Sequence, residues 1–262
     1  MTSMQGKVAI ITGGTQGIGE GTALLAAESG AEGIVICGRQ VDKGESVAQA
    51  VRQLGCACEF AQADLTDPEA CRNVVRLCDD HFGRVDCLLN AAGDTTRGTL
   101  DETTVELWDR IFAINVRAPF VLTQEAARIM KREKTPGSIV NTSSVNSTCG
   151  FPILCAYSAS KGALNTLTKN NANDLREHRI RVNGINLGWT DTPAEHQVKI
   201  TEGAPENWLE IAEAESPFGR LLKVDDVARL NLYLMSDESG ILTGSLIDYT
   251  QRVMGNYPPE NV

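Results

Sequence analysis

The sequence predicts an α/β protein with a doubly wound parallel sheet and helices on both faces. Three observations lead there. Short apolar runs alternate with amphipathic stretches along most of the 262 residues, the pattern of strand–helix–strand units. The runs are continuously apolar, as in strands buried on both faces. No linker, low-complexity tract or internal repeat divides the chain, so the alternation is read as one domain over residues 1–262.

The elements follow in order. KVAIIT (7–12) is the first strand, and IGEGTALLAAESG reads as a helix stopped at Gly30. GIVIC (33–37) is the second strand, followed by a helix that ends at Gly55. CEFAQAD (58–64) is the third strand. Asp67-Pro68 then opens a helix and Gly83 closes it, since proline suits a first helical position and glycine a helix end. VDCLLNAAG (85–93) is the fourth strand. A long helical stretch covers 104–133, with a break or kink expected at Pro119, which lacks the N–H that a helix needs. GSIVNTSS (137–144) is the fifth strand and precedes a helix carrying YSASK (157–161). IRVNGIN (180–186) and SLIDYT (245–250) complete the strands. Residues 189–216 interrupt the alternation and read as a helical flap rather than a second domain.

The formal net charge is −10, which disfavours nucleic acid and anionic membrane as partners, because both need a basic footprint. No apolar run approaches spanning length, and MTSMQGKVAIITGG enters a strand directly without a leader-like segment. The eight cysteines show no paired ligand spacing and there are three histidines, so no metal site is expected. Most of the cysteines read as reduced packing residues of a cytoplasmic protein.

Two motifs carry chemistry. TGGTQGIG (12–19) joins the first strand to the first helix. Its glycines permit a tight turn and close backbone approach, and the helix N-terminus offers N–H groups to a pyrophosphate. A tight turn without a ligand is the plainer alternative. In YSASK, Tyr157 and Lys161 lie four apart and so share one helix face. An ammonium near a phenol favours the phenolate, which suits an acid–base couple; a solvated surface pair is the alternative.

The spacing Thr12-Gly13-x-x-x-Gly17-x-Gly19 resembles the short-chain dehydrogenase/reductase family, and four further motifs extend the likeness over nearly the whole chain. They are Asn90-Ala91-Ala92-Gly93, Asn115, Ser144 thirteen residues before Tyr157, and Tyr157-x-x-x-Lys161. Ser143 is the competing serine; the spacing favours Ser144. The resemblance implies a Rossmann-like fold and hydride transfer between a nicotinamide cofactor and a secondary alcohol or ketone. It implies catalytic roles for four residues. Tyr157 exchanges the proton. Lys161 lowers the Tyr157 pKa and binds the nicotinamide ribose. Ser144 orients the substrate oxygen, and Asn115 holds a water that links Lys161 to solvent.

The implied cofactor site comprises Gly13, Thr15, Gln16, Gly17, Ile18, Gly19, Arg39, Asp64, Leu65, Asn90, Ala91, Ala92, Gly93, Tyr157, Lys161 and Thr192. At the end of the second strand, Gly38 stands where NAD-binding relatives place an acid, and Arg39 follows. An arginine there suits a 2′-phosphate, so NADP is favoured over NAD. The position in the glycine turn that is often basic in NADP-using relatives is Gln16. Leu187 replaces the family's proline in NLGWTDTP (186–193), and Trp189 either walls the site or packs the flap.

Residues 94–97, 145–155 and the flap should line the substrate. Asp94, Thr95, Arg97, Asn146, Ser147, Thr148, Glu195 and His196 are polar and suit a small polar ketone, sugar or polyol. Cys149 and Cys155 flank the serine and tyrosine. Two other readings are a carrier-linked 3-ketoacyl reductase and a non-catalytic dinucleotide sensor. The net charge of −10 and Asn173, at a position that is basic in carrier-linked enzymes, disfavour the first. The second is disfavoured by the complete set of catalytic residues. Relatives are commonly homotetramers or dimers that bury helices near 105–131 and 156–176.

Overall fold

The computed structural model describes residues 2–253; residue 1 and residues 254–262 of the expected domain lie outside the described residues. Among the described residues seven strands form one sheet: β1 (Val8–Thr12), β2 (Gly33–Gly38), β3 (Ala57–Gln62), β4 (Cys87–Asn90), β5 (Ser138–Ser144), β6 (Arg181–Leu187) and β7 (Leu246–Tyr249). Their order is β3-β2-β1-β4-β5-β6-β7, and every pairing is parallel. The direction of winding reverses between β1 and β4. In sheets of this kind, the crevice beyond the carboxyl ends at that reversal is where ligands bind.

The continuous apolar character of β1 has a direct cause, since successive side chains enter two different cores. Val8 and Ile10 pack with α3 (Pro68–Phe82), α5 (Ala118–Glu133) and α6 (Cys155–Leu175). Ala9 and Ile11 pack with α1 (Gly17–Glu28), α2 (Val41–Gln53) and α9 (Val224–Met235). At the opposite end of the sheet from the crevice, the fully buried Asp86 carboxylate accepts from the Val8 N–H and the Arg84 guanidinium, each at 2.7 Å.

Two features differ from the sequence reading. That reading assigns no element between the flap and the last strand, yet α9 forms there. Its Val227, Leu232, Leu234 and Met235 are buried against the sheet, and the Asp226 carboxylate accepts from the Lys223 N–H at its start. The long helix of 104–133 is broken as expected, but the break precedes Pro119. It runs as α4 (Val105–Phe112), a π-turn at Ala113–Arg117, then α5 with Pro119 in its first turn. Proline cannot supply the N–H that an α-helix would direct at the carbonyl four residues earlier, which is that of Asn115. The wide turn therefore falls on the segment carrying the candidate catalytic asparagine.

Residues 189–216 carry α7 (Pro193–Thr201) and α8 (Trp208–Ala214). Among the described residues, no helix is long and apolar enough to cross a membrane.

Candidate active site

The chain places its glycine turn where β1 meets α1, at the reversal point of the sheet. Gly13 has φ +65° and Gly17 φ +59°, a backbone region that side chains rarely adopt. Close approach restricts the turn further. A Cβ on Gly13 would meet the Ala92 backbone at 3.0 Å, and one on Gly19 would meet the Gly13 carbonyl oxygen at 2.3 Å. Gln16, the residue preceding α1, provides no side-chain cap, so the first N–H groups of the helix remain available at the cleft wall.

This observation gives a first prediction. Gly19→Ala should displace the turn, costing about 1–3 kcal/mol of stability and weakening dinucleotide binding at least about tenfold, an estimate that equates a displaced turn with about 1.4 kcal/mol. Gly150 has open space around it, so Gly150→Ala serves as the control. Chemical denaturation and ligand titration of the two variants check the expectation, and equal behaviour would contradict it.

The turn opens into a cleft of about 790 Å³. Its wall includes Gly13, Thr15, Gln16, Gly17, Ile18, Gly19, Arg39, Asp64, Leu65, Ala91, Ala92, Gly93, Ser144, Tyr157, Lys161 and Thr192. Two predicted residues are not part of that wall. Asn90 is buried beneath it and donates to the Asn141 side chain at 2.8 Å, tying β4 to β5. Asn115 is also fully buried. Its Oδ1 accepts from the Asp94 N–H at 2.8 Å, and its Nδ2 donates to the Asp94 carbonyl at 2.9 Å and to Ser160 Oγ at 3.0 Å. The asparagine side chain thus clamps the loop after β4 to α6.

The acidic residues near the cofactor end divide their work. Asp67 is the residue preceding α3 and accepts from the Glu69 N–H. Asp64 lines the cleft; hydrogen bonds from Thr66 hold its carboxyl below the ordinary carboxylate range, helped by the Arg39 charge. Thr192 caps α7, accepting from the Glu195 N–H at 3.2 Å.

Ser144, Tyr157 and Lys161 converge at the floor of the cleft. Ser144 ends β5, and its hydroxyl accepts from the Asn146 N–H at 3.2 Å. The Ser143 hydroxyl instead donates to the Lys161 carbonyl at 3.4 Å. Lys161 is 4% exposed. Its ammonium donates to the Thr142 carbonyl at 2.7 Å and lies 5.6 Å from the centre of the Tyr157 ring. Removal from water favours the neutral amine and brings the Lys161 pKa down to about 8.

Here the structure corrects the expectation for Tyr157. Its phenol stands above the ordinary value of 10.0, chiefly because of burial, with the nearby Ser144 side chain offsetting part of the rise. Lys161 addresses the ring and a carbonyl rather than the hydroxyl, and the charges that reach the phenol are Arg97, which lowers it, and Glu195, which raises it.

The substrate end is less polar than the sequence reading implies. Thr95, Arg97, Asn146 and Glu195 line it, but so do Phe151, Ile153, Leu154 and Trp189. Arg97 joins the loop after β4 to the flap, reaching Glu195 at 3.5 Å and Glu202 at 3.1 Å. Trp189 both walls the cleft and packs the flap. Its indole N–H donates to Glu195 at 2.9 Å, and its ring stacks on Trp208 at 6.0 Å. His196 turns away to Asp191 at 2.8 Å. Leu187, in place of proline, is the buried last residue of β6. Cys149 is exposed and Cys155 half-buried, and neither lines the cleft. The other six cysteines are buried, and burial raises each thiol to about 11 or 12, which makes them inert packing groups.

Comparison with known proteins gives the family. The family model described as short chain dehydrogenase matches residues 7–203. An NADP-dependent (R)-specific alcohol dehydrogenase of Lentilactobacillus kefiri is 35% identical over 92% of this chain and 94% of its own length. A 3-oxoacyl-[acyl-carrier-protein] reductase of Thermotoga maritima is 36% identical over 93% of this chain and 96% of its own. The crystal structure of a short-chain type dehydrogenase/reductase from Mycobacterium marinum superposes with a TM-score of 0.82 at 29% identity, covering 94% of each chain. The chain belongs to the short-chain dehydrogenase/reductase family. It is an oxidoreductase that uses NAD(P).

Proposed function

We propose that the protein interconverts a secondary alcohol and its ketone with NADP, acting on a small polar substrate such as a sugar-like molecule or polyol. The observation that carries this reading is the convergence of Ser144, Tyr157 and the buried Lys161 on one cleft that continues to the glycine turn. The bound dinucleotide supplies or accepts the hydride. Ser144 orients the substrate oxygen, and Tyr157 gives or takes the proton at that atom. Lys161 holds the ribose hydroxyls and the positive charge beneath the tyrosine. Asn115 holds the loop after β4 in place, and its main-chain carbonyl, denied an N–H by Pro119, is the acceptor assigned to the water of the proton relay.

Arg39 at the cleft wall, with glycine before it, supports NADP. The polar groups of Thr95, Arg97, Asn146 and Glu195 suit hydroxylated substrates, while Phe151, Ile153 and Trp189 limit their size and face their apolar edges. A carrier-linked reductase fits less well. The chain's own charge of −10 repels an acidic carrier, and Asn173 is an uncharged exposed residue on α6. A cytoplasmic location and a dimer or tetramer complete the reading.

The test is a screen of sugars, polyols and small ketones with NADPH and NADP, and in parallel with NADH and NAD, following nicotinamide absorbance. Turnover of small polar substrates with the 2′-phosphorylated cofactor is the expected result. Turnover confined to NADH and NAD, or to carrier-linked thioesters, would overturn the reading.

A further inference from the structure

The NADP reading leaves one difficulty. A 2′-phosphate carries more charge than one guanidinium neutralises, and Gln16 offers no second cation in the glycine turn. The structure supplies one from another element. Lys43, on the first turn of α2, is exposed, and its ammonium donates to Gln16 Oε1 at 3.0 Å. Gln16 and Arg39 both line the cleft. Lys43 is thus held at the cleft rim beside the residue position where the charge is missing, on the same side as Arg39.

The surroundings of Arg39 bear on the charge balance there. A Cβ on Gly38 would meet Thr15 Cγ2 at 2.6 Å and Thr15 Oγ1 at 2.8 Å, so a side chain there would require Thr15 to shift. Gly38 carries no acid for a free ribose hydroxyl, so the repulsion such an acid would exert on a phosphate is absent. The backbone of Arg39 is fixed by the Gln62 amide, which donates to its carbonyl at 3.3 Å. The nearby carboxylate at the cleft wall is Asp64, and its Oδ1 accepts from both the N–H and the hydroxyl of Thr66.

We infer that Lys43 is a specificity-determining residue for this chain, the second cation for a ribose 2′-phosphate, with Gln16 as the positioning residue that holds it at the rim. The inference rests on the NADP reading and adds to it a residue outside the glycine turn and outside the end of β2. Lysine acts on phosphate as a mobile point charge, so a single amide acceptor is enough to hold it until a stronger anion is present.

The experiment measures calorimetric affinity for adenosine 2′,5′-bisphosphate and for adenosine 5′-monophosphate, using the whole chain and three variants: Lys43→Ala, Lys43→Arg and Arg39→Ala. A charge-assisted contact of ordinary strength predicts that Lys43→Ala weakens the bisphosphate about 5- to 30-fold. The same variant leaves the monophosphate within about twofold, the level at which a lost surface contact is energetically negligible. Lys43→Arg restores most of the loss. The dependence of bisphosphate affinity on salt also becomes shallower in Lys43→Ala, as expected when one phosphate contact is removed. If native protein binds the bisphosphate no better than the monophosphate, the NADP reading itself fails. If native protein discriminates and Lys43→Ala discriminates equally, the NADP reading stands and the assignment of Lys43 is overturned. An equal loss for both ligands would also overturn it, because Lys43 would then serve the adenosine or the fold rather than the 2′-phosphate.

Discussion

Tyr157→Phe is expected to lose turnover by about 10²–10⁴-fold, the contribution of a positioned proton donor and acceptor, while retaining dinucleotide affinity. The geometry dictates the split. The substitution removes one hydroxyl from a cleft that Ser144 also lines. It leaves the ring in place over the Lys161 ammonium, and the glycine turn and Arg39 lie elsewhere along the cleft. Stability should change by no more than about 1 kcal/mol, the typical worth of one hydrogen bond. The check is steady-state turnover on any substrate found by the screen, with cofactor affinity measured by titration. Unchanged turnover would remove Tyr157 from the mechanism.

Lys161→Met should make the protein inactive and more stable. Lys161 is buried and titrates at about 8 in the folded chain, against an ordinary value of 10.5. Below about pH 8 both folded and unfolded chains carry the proton, and the folded state bears the full cost of the buried charge. That difference corresponds to about 3 kcal/mol. Between pH 8 and 10.5 the unfolded chain holds more protons than the folded one, so native stability rises with pH across this window. Methionine has similar length and no charge. After subtracting about 1 kcal/mol for the lost hydrogen bond to Thr142, the variant should gain about 1–3 kcal/mol at pH 7. The gain should shrink as pH rises through the window. Denaturant unfolding of both proteins over that range checks the sign, and a variant less stable than native at pH 7 would contradict it. A lysine that destabilises its own fold is what a site selected for chemistry looks like.

Much of this was legible in the residues. The sheet could be read because each central strand enters two cores at once, which makes runs such as Val8–Ile11 continuously apolar. The glycine turn and the Tyr157–Lys161 pair could be read because their spacing is fixed by one local turn and one helix face. Other features depend on tertiary placement. Lys43 is an ordinary helix residue until α2 is seen to bring it to Gln16. Phe151 and Ile153 look like loop residues until the fold turns them toward the cleft. Asn90 belongs to a motif of the cleft, yet its own side chain bonds the neighbouring strand. The upward direction of the Tyr157 shift in the protein alone is hidden from sequence for a physical reason: proximity of a charge is local and visible in sequence, whereas desolvation is a property of everything packed around the group.

The central claim is that Tyr157 becomes an effective acid and base only in the cofactor-loaded cleft, where a cationic oxidised nicotinamide adds the positive charge that Lys161 alone does not deliver to the hydroxyl. The direct measurement is a phenolate absorbance titration, native minus Tyr157→Phe, with and without oxidised NADP. The account predicts a midpoint above the ordinary tyrosine value of 10.0 for the protein alone, and a midpoint moved down toward neutrality when the dinucleotide is bound. A midpoint that stays where it was on binding would contradict it.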